Sequence, residues 1–103
     1  SNMLFMQISK HAPESCPLNN QKAMKASKDL MAKLEQLTKK HGIKMVGGWH
    51  DAANHRFVML WDGSFEALMK LSMEPEMLAW GALHNTEAFP VMTLEESAKL
   101  FLK

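Results

Sequence analysis

The sequence predicts a single α+β domain, with helices packed on an antiparallel sheet. The chain has 103 residues, of which 47% are hydrophobic, a size and composition typical of one compact domain. Short apolar runs bounded by Pro, Gly, Asn and Asp indicate strands. Between them lie stretches with helical periodicity and recognisable caps.

The first strand and a long helix occupy the first part of the chain. Residues 3–10 are mostly apolar, and Pro13 and Pro17 end this strand. Asn19 or Asn20 caps the helix, and Gly42 ends it. The residues that recur at helical spacing are Met24, Ser27, Leu30, Met31, Leu34, Leu37 and His41.

Two strands follow in direct succession, over residues 43–49 and 55–61. The intervening residues 50–54 contain Asp51 and Asn54, which suit a hairpin loop. The two strands are therefore predicted to form an antiparallel pair.

The second helix begins after the cap residue Ser64 and restarts over residues 74–80, with Pro75 in its first turn. His84 follows on a turn, where we expect it to face solvent or to cap the helix. Residues 87–92 form the last strand, and Pro90 indicates an edge position or a bulge. Thr93 and Glu96 have capping-box spacing at the start of a short C-terminal helix.

This order is β-α-β-β-α-β plus a short C-terminal helix, the ferredoxin-like split βαβ arrangement. The predicted domain spans residues 3–103. We interpret Ser1 and Asn2 before Met3 as a remnant of cloning.

Charge and composition exclude several classes of partner. The 12 basic and 11 acidic residues nearly cancel, which argues against nucleic acid, and no apolar run is long enough to cross a membrane. One cysteine and the absence of a signal sequence favour a cytoplasmic location.

Lysines concentrate on the long helix, which we interpret as a solvated face; the alternative is an interaction module for an acidic partner. They are Lys22, Lys25, Lys28, Lys33, Lys39 and Lys40.

Both faces of the sheet are predicted to be apolar. In the first strand Leu4, Met6 and Ile8 share one face, and Phe5, Gln7, Ser9 and His11 share the other. In the third strand Val58 and Leu60 alternate with His55, Phe57, Met59 and Trp61. We expect the face of Phe57, Met59 and Trp61 to need a partner, and hence a homodimer. The alternative is that the C-terminal helix covers the sheet of its own chain.

The element order and the two apolar faces resemble the dimeric α+β barrel superfamily, in which two sheets pack around a cavity. Four segments are similar to small uncharacterised prokaryotic proteins of that group: residues 11–17, 40–44, 62–67 and 89–96. The resemblance implies a dimer with a cavity between the sheets. The superfamily includes monooxygenases and isomerases. Its haem-degrading branch carries an Asn in the first strand, where this chain has Gln7 and Ser9, so haem degradation is not carried over.

Three potential metal ligands, His11, Glu14 and Cys16, lie within six residues. Imidazole, carboxylate and thiolate together suit zinc or another transition metal, and His55 could complete the set. His11, His55 and Cys16 are also the candidate catalytic residues, as proton carriers and a thiolate. The alternative to the metal site is a surface loop, and the alternative to a reactive Cys16 is a small packed thiol.

A small, partly apolar ligand is the predicted partner in the cavity. Its predicted contacts are Phe5, Gln7, Ser9, Trp49, Phe57, Met59 and Trp61. The same residues also suit the core of a dimer interface. The reactions considered are cofactor-independent oxygenation and isomerisation, and the alternative is a non-catalytic dimer that binds or senses a metal or ligand. No organic cofactor signature is evident.

Overall fold

The computed structural model describes residues 3–102, so the interpretation of Ser1 and Asn2 lies outside the described residues. The secondary structure elements are β1 (Met3–Lys10), α1 (Gln21–His41), β2 (Lys44–Asp51), β3 (Arg56–Gly63), α2 (Phe65–Ser72), α3 (Pro75–Gly81), β4 (Asn85–Val91) and α4 (Leu94–Phe101). Short 3-10 turns cover Pro13–Ser15 and Ala52–Asn54. Among the described residues, none of the helices is long and apolar enough to cross a membrane.

The four strands form one antiparallel sheet in the order β2-β3-β1-β4. This confirms the predicted ferredoxin-like α+β fold. β4 lies at one edge, as Pro90 predicts, since proline cannot donate a hydrogen bond to a second neighbouring strand. β2 forms the other edge and has an irregularity in its pairing between Met45 and Gly47.

The helix ends follow the predicted local signals. The side chain of Asn20 accepts a hydrogen bond from the Ala23 N–H, at 3.0 Å, and Gly42 ends α1 with a φ of 65°. That left-handed conformation is easily adopted by glycine and rarely by other residues. Thr93 and Glu96 form the predicted capping box of α4.

The core lies between the sheet and helices α1, α2 and α3. It contains the buried side chains Phe5, Leu30, Leu37, Ile43, Met59, Trp61, Ala67, Leu68, Leu71, Met77 and Trp80, with Phe57 packed against them. The expectation that Phe57, Met59 and Trp61 face a partner chain is therefore wrong. The prediction that successive side chains of β3 point to opposite faces of the sheet is correct. The face of Phe57, Met59 and Trp61, however, is covered by helices of the same chain.

The opposite face of the sheet, here called the open face, is also apolar. Strand pairing puts Ile8, Val58 and Trp49 in one row, because directly opposed residues of antiparallel strands share a face. The apolar side chains of the open face are Leu4, Met6, Ile8, Trp49, Val58, Leu60, Phe89 and Val91.

The C-terminal helix does not cover the open face. Its apolar residues Leu100 and Phe101 remain 60% and 82% exposed, whereas packing on a sheet would bury them. The alternative in which α4 covers its own sheet is therefore wrong. Within residues 3–102 the open face has no covering layer.

Candidate functional site

A cavity of about 290 Å³ lies between α1, α3 and the helix-covered face of β2 and β3. We call it the helix-side cavity. It is lined by Ser27, Leu30, Met31, Leu34, Met45, Gly48, Trp49, His50, Phe57, Met59, Trp61, Met77 and Trp80. Its position follows from the helical stripe of α1, which faces the alternate β3 residues Phe57, Met59 and Trp61. The exposed residues Met31, Gly48 and His50 mark its mouth.

The cavity is almost entirely apolar and contains one imidazole. His50 lies opposite Phe57 in the β2–β3 pair, and the two rings stack with centroids 4.2 Å apart and planes 14° from parallel. Ser27 adds a hydroxyl from α1. Apolar walls with a few polar groups are typical of binding sites for small organic molecules.

Four of the seven predicted ligand contacts border this cavity: Trp49, Phe57, Met59 and Trp61. Trp49 is opposite Val58 of the open face in the strand register, and it also borders the cavity because β2 is the edge strand there. The four residues were expected between two sheets, but the cavity lies between a sheet and helices of one chain. Ligand binding by these residues stays a prediction.

Phe5, Gln7 and Ser9 do not line the helix-side cavity. Phe5 is buried in the core, where its ring lies 6.0 Å from that of Phe65. The Trp61 indole N–H donates to Gln7 Oε1 at 2.9 Å, and Gln7 Nε2 donates to Ser9 Oγ at 3.1 Å. These bonds satisfy buried polar groups and hold the sheet side of the core in one arrangement.

Three histidines, here called the histidine cluster, meet behind Phe57 at the end of β1: His11, His55 and His84. The ring centroid of His11 lies 5.5 Å from that of His55 and 5.1 Å from that of His84. His84 also stacks on Trp80, at 3.8 Å. Of the two positions predicted for His84, solvent-facing or a cap, the structure has the second: its ring is only partly exposed and bonds to the carbonyl oxygen of Trp80 at the end of α3.

Hydrogen bonds assign the tautomers of two of these rings. His84 Nδ1 lies 2.8 Å from the carbonyl oxygen of Trp80. Since a carbonyl only accepts, Nδ1 carries the proton, and in the neutral ring Nε2 has a lone pair. His11 Nδ1 lies 3.2 Å from that atom and donates to it. His11 Nε2 then bears a lone pair, and it has no hydrogen-bond partner within residues 3–102.

Electrostatics favour the neutral form of both rings. Burial lowers the pKa of His11, and the neighbouring His84, His55 and His50 lower it further. Burial also lowers the pKa of His84, against the opposing effect of the Trp80 carbonyl. Both imidazoles are therefore uncharged at neutral pH and keep the lone pairs assigned above.

Cys16 is the third member of a group with potential metal-ligand atoms. His11, Cys16 and His55 each offer one such atom, and the atoms all lie within 4.8 Å of one another. Glu14, the carboxylate predicted for this site, is exposed and lies outside the group. Roles for His11, His55 and Cys16 in catalysis stay a prediction, and none of the three lines the helix-side cavity.

Most of the cavity lining was not predicted from the sequence, including His50, Met77 and Trp80. The helical stripe on α1 predicted an amphipathic helix, and its residue Leu30 is in the core. His50 lies directly opposite Phe57 in the β2–β3 pair, so the pairing of these strands would have placed it on the face of Phe57. The position of Trp80 depends on how α3 packs, for which the local sequence has no signal.

Half of the lysines highlighted on α1 are in ion pairs. Lys25 pairs with Asp29 at 2.8 Å and Lys39 with Glu35 at 3.2 Å, both across one helical turn. Lys40 pairs with Glu74 at 2.8 Å. These acids offset the positive charge of the helix, and an acidic partner for it stays a prediction.

The sequence of the chain places it in a known family. It belongs to the family described as "Domain of unknown function (DUF3303)", whose model matches residues 3–103. No functionally curated protein matches the chain.

Among solved structures, the chain is similar to that of "a putative antibiotic biosynthesis monooxygenase" from Caulobacter crescentus CB15. The two chains are 15% identical, with a TM-score of 0.54, over 89% of this chain and 91% of the other. At this identity the similarity shows a shared fold.

Proposed function

We propose that this protein binds a small, partly apolar molecule in the helix-side cavity. The observation that carries the proposal is the cavity itself, about 290 Å³ of mostly apolar space with His50 at its mouth. An apolar cavity of about 150 Å³ holds a benzene ring. This one has room for a ring with substituents or for two fused rings.

The proposed working form is a homodimer joined through the open face. Eight apolar side chains in one continuous patch are more than monomers usually leave in water. A second copy is the natural partner, because a twofold axis lets the same patch pack on itself. This arrangement leaves the helix-side cavity accessible in each chain.

A reducing cytoplasm, which the single cysteine suggests, would keep Cys16 a thiol.

The chemistry proposed for this cavity is cofactor-independent oxygenation or isomerisation. The first is supported by the similar fold of the Caulobacter crescentus protein, which is described as "a putative antibiotic biosynthesis monooxygenase". His50 supplies an imidazole, the side chain that most often serves as a general acid or base in enzymes. For a phenol such as 1-naphthol, O₂ would serve as the oxidant: one oxygen atom enters the ring to form 1,4-naphthoquinone, and the other leaves as water. An isomerisation needs only proton removal at one carbon and return at another.

Binding of 1-naphthol, measured by calorimetry, tests the proposal. We expect a dissociation constant of about 1 mM or tighter, which corresponds to about 4 kcal/mol. Ser27→Phe should fill the cavity from α1 and weaken binding at least about tenfold, or 1.4 kcal/mol. Lys28→Phe adds the same ring at an exposed neighbouring position that does not line the cavity, and should leave binding unchanged. Equal binding by both variants would contradict the proposal.

A non-catalytic dimer that senses a metal or ligand is the second candidate, because potential metal ligands cluster on the other side of Phe57. Oxygen uptake with 1-naphthol separates the two candidates. An oxygenase consumes O₂ and forms quinone in a reaction slowed by His50→Gln. A binding protein shows the calorimetric signal without either change.

A further inference from the structure

Three side chains that carry metal-ligand atoms meet where the segment after β1 passes the β2–β3 turn. We propose that His11, Cys16 and His55 form a binding site for a transition-metal ion of the zinc type. Their potential ligand atoms already lie within 4.8 Å of one another. The site is separate from the helix-side cavity and does not depend on the function proposed for it.

The first ligand atom is Nε2 of His11. The hydrogen bonds from His11 to His84 and from His84 to the Trp80 carbonyl leave the proton of His11 on Nδ1. The lone pair of Nε2 is thus buried without a hydrogen-bond partner among the described residues, in a side chain that is only 6% exposed. Metal-binding histidines usually donate their other ring N–H in this way, which orients the ring.

The second ligand atom is Nδ1 of His55, which is also buried without a partner within residues 3–102. His55 has a φ of 53°, an uncommon conformation for a residue other than glycine. Its carbonyl oxygen accepts a hydrogen bond from the backbone N–H of His11 at 2.9 Å. Strained backbone of this kind occurs at sites where a side chain must point in a set direction.

The third ligand atom is Sγ of Cys16, a residue that is 4% exposed. Its backbone N–H donates to the Pro13 carbonyl at 3.2 Å, and its own carbonyl accepts from Asn19 at 3.0 Å. The Asn20 side chain ties this loop to α1 by donating to the Glu14 carbonyl at 2.9 Å. The thiol is therefore held by a fixed loop and not by a flexible tail.

Two imidazoles and a thiolate select zinc, cobalt or copper over magnesium or calcium, which prefer oxygen ligands. In a tetrahedral zinc site, bond lengths of about 2.0–2.3 Å place the ligand atoms about 3.3–3.7 Å apart. The three side chains would need to approach one another by roughly 1 Å, which side-chain rotation can supply. Three protein ligands leave the fourth position open for water or another ligand.

Cobalt(II) titration of the reduced, metal-free and tag-free chain tests the site. Tetrahedral cobalt has intense visible bands, and a bound thiolate adds a charge-transfer band in the near ultraviolet. Because Cys16 is the only cysteine, this band reports its coordination in the unaltered protein. We expect both bands to saturate at one cobalt per chain and to disappear when zinc is added.

Variants identify the individual ligands. Cys16→Ser should abolish the charge-transfer band, and His55→Asn, which suits a positive φ, should weaken the binding of cobalt strongly. His84→Gln should keep the bands but raise the dissociation constant about 10- to 100-fold, since His84 acts through His11. Glu14→Gln is the matched control and should change nothing.

Two results would overturn the proposal. One is the absence of a charge-transfer band in the unaltered protein at excess cobalt, which needs no variant to be folded. The other is a charge-transfer band that survives Cys16→Ser in a variant with an unaltered circular dichroism spectrum. Neither result bears on 1-naphthol binding, so this proposal and the one for the helix-side cavity can fail separately.

Discussion

At the end of β1, burial and neighbouring imidazoles both oppose a positive charge on His11. The unfolded chain therefore takes up this proton at a higher pH than the folded chain does. By linkage, the contribution of His11 to stability is complete above its unfolded pKa and is lost as the pH falls below it. The contribution of His84 to stability depends on pH in the same direction, because burial also lowers its pKa.

We predict that the free energy of unfolding of the metal-free protein falls as the pH is lowered from about 7.5 to about 5.5, across the usual titration range of histidine. His11→Gln removes one of the titrating groups and should flatten this dependence, even if the variant is less stable at every pH. His50→Gln, at an exposed position, is the control and should largely keep it. Urea unfolding at several pH values measures the slope. A slope that His11→Gln leaves unchanged would contradict the assignment.

Single-residue features were partly predictable from the sequence. His11 and Cys16 are close in the chain, and strand pairing predicted that His55 lies near them. His84 joins them only because α3 turns back toward the sheet, an effect of tertiary packing without a local signal. Glu14 has a suitable side chain, but the loop directs it to solvent.

At the scale of elements, the end of α1 is tied to the start of α3 through one carboxylate. Glu74 accepts hydrogen bonds from Lys40 Nζ at 2.8 Å and from His41 Nε2 at 2.7 Å. These two bonds, with Lys40 first in importance, lower the pKa of Glu74. The pair of helices forms one wall of the helix-side cavity, so this contact supports the cavity's shape.

Glu74→Gln should therefore lower the melting temperature and loosen the contact between α1 and α3. The control is Glu66→Gln, which removes an exposed pair with Lys70 within α2. Exposed pairs of this kind contribute about 0.5 kcal/mol or less. Calorimetric melting of both variants makes the comparison. A smaller loss for Glu74→Gln than for Glu66→Gln would show that the contact does not support the packing of α3.

Element boundaries were predictable because their signals are local, as at Asn20, Gly42 and Thr93. The face covered by helices was not. Alternation along β3 separates two sets of side chains, but both are apolar, so the pattern alone does not assign either to the core. The helices decide this through the handedness of the β-α-β connections, which the sequence pattern does not show directly.

At the scale of the whole molecule, the chain is a thin two-layer structure. Its principal dimensions, measured on Cα atoms, are 52, 31 and 16 Å, and the smallest fits one sheet with one layer of helices. Such a structure has one core and leaves one face of the sheet without cover. The apolar open face is the reason to expect a second copy.

Val58→Lys tests this expectation, since Val58 lies between Ile8 and Trp49 in the middle of the open face. A buried, unpaired ammonium should raise the dimer dissociation constant about 100-fold or more, equivalent to about 2.7 kcal/mol. Ala32→Lys places the same charge on the exposed side of α1 and should leave the dimer intact. Sedimentation velocity at micromolar concentration distinguishes the two. A monomeric unaltered chain would exclude the dimer.

The central claim is that a small, partly apolar molecule binds between the helices and the sheet. The most direct measurement is the set of nuclear Overhauser contacts between 1-naphthol and the methyl groups of ¹³C-labelled methionine. We expect contacts to the cavity methionines Met31, Met45, Met59 and Met77. Contacts confined to Met6, which lies on the open face, or contacts to none of the methionines at saturating 1-naphthol, would contradict the account.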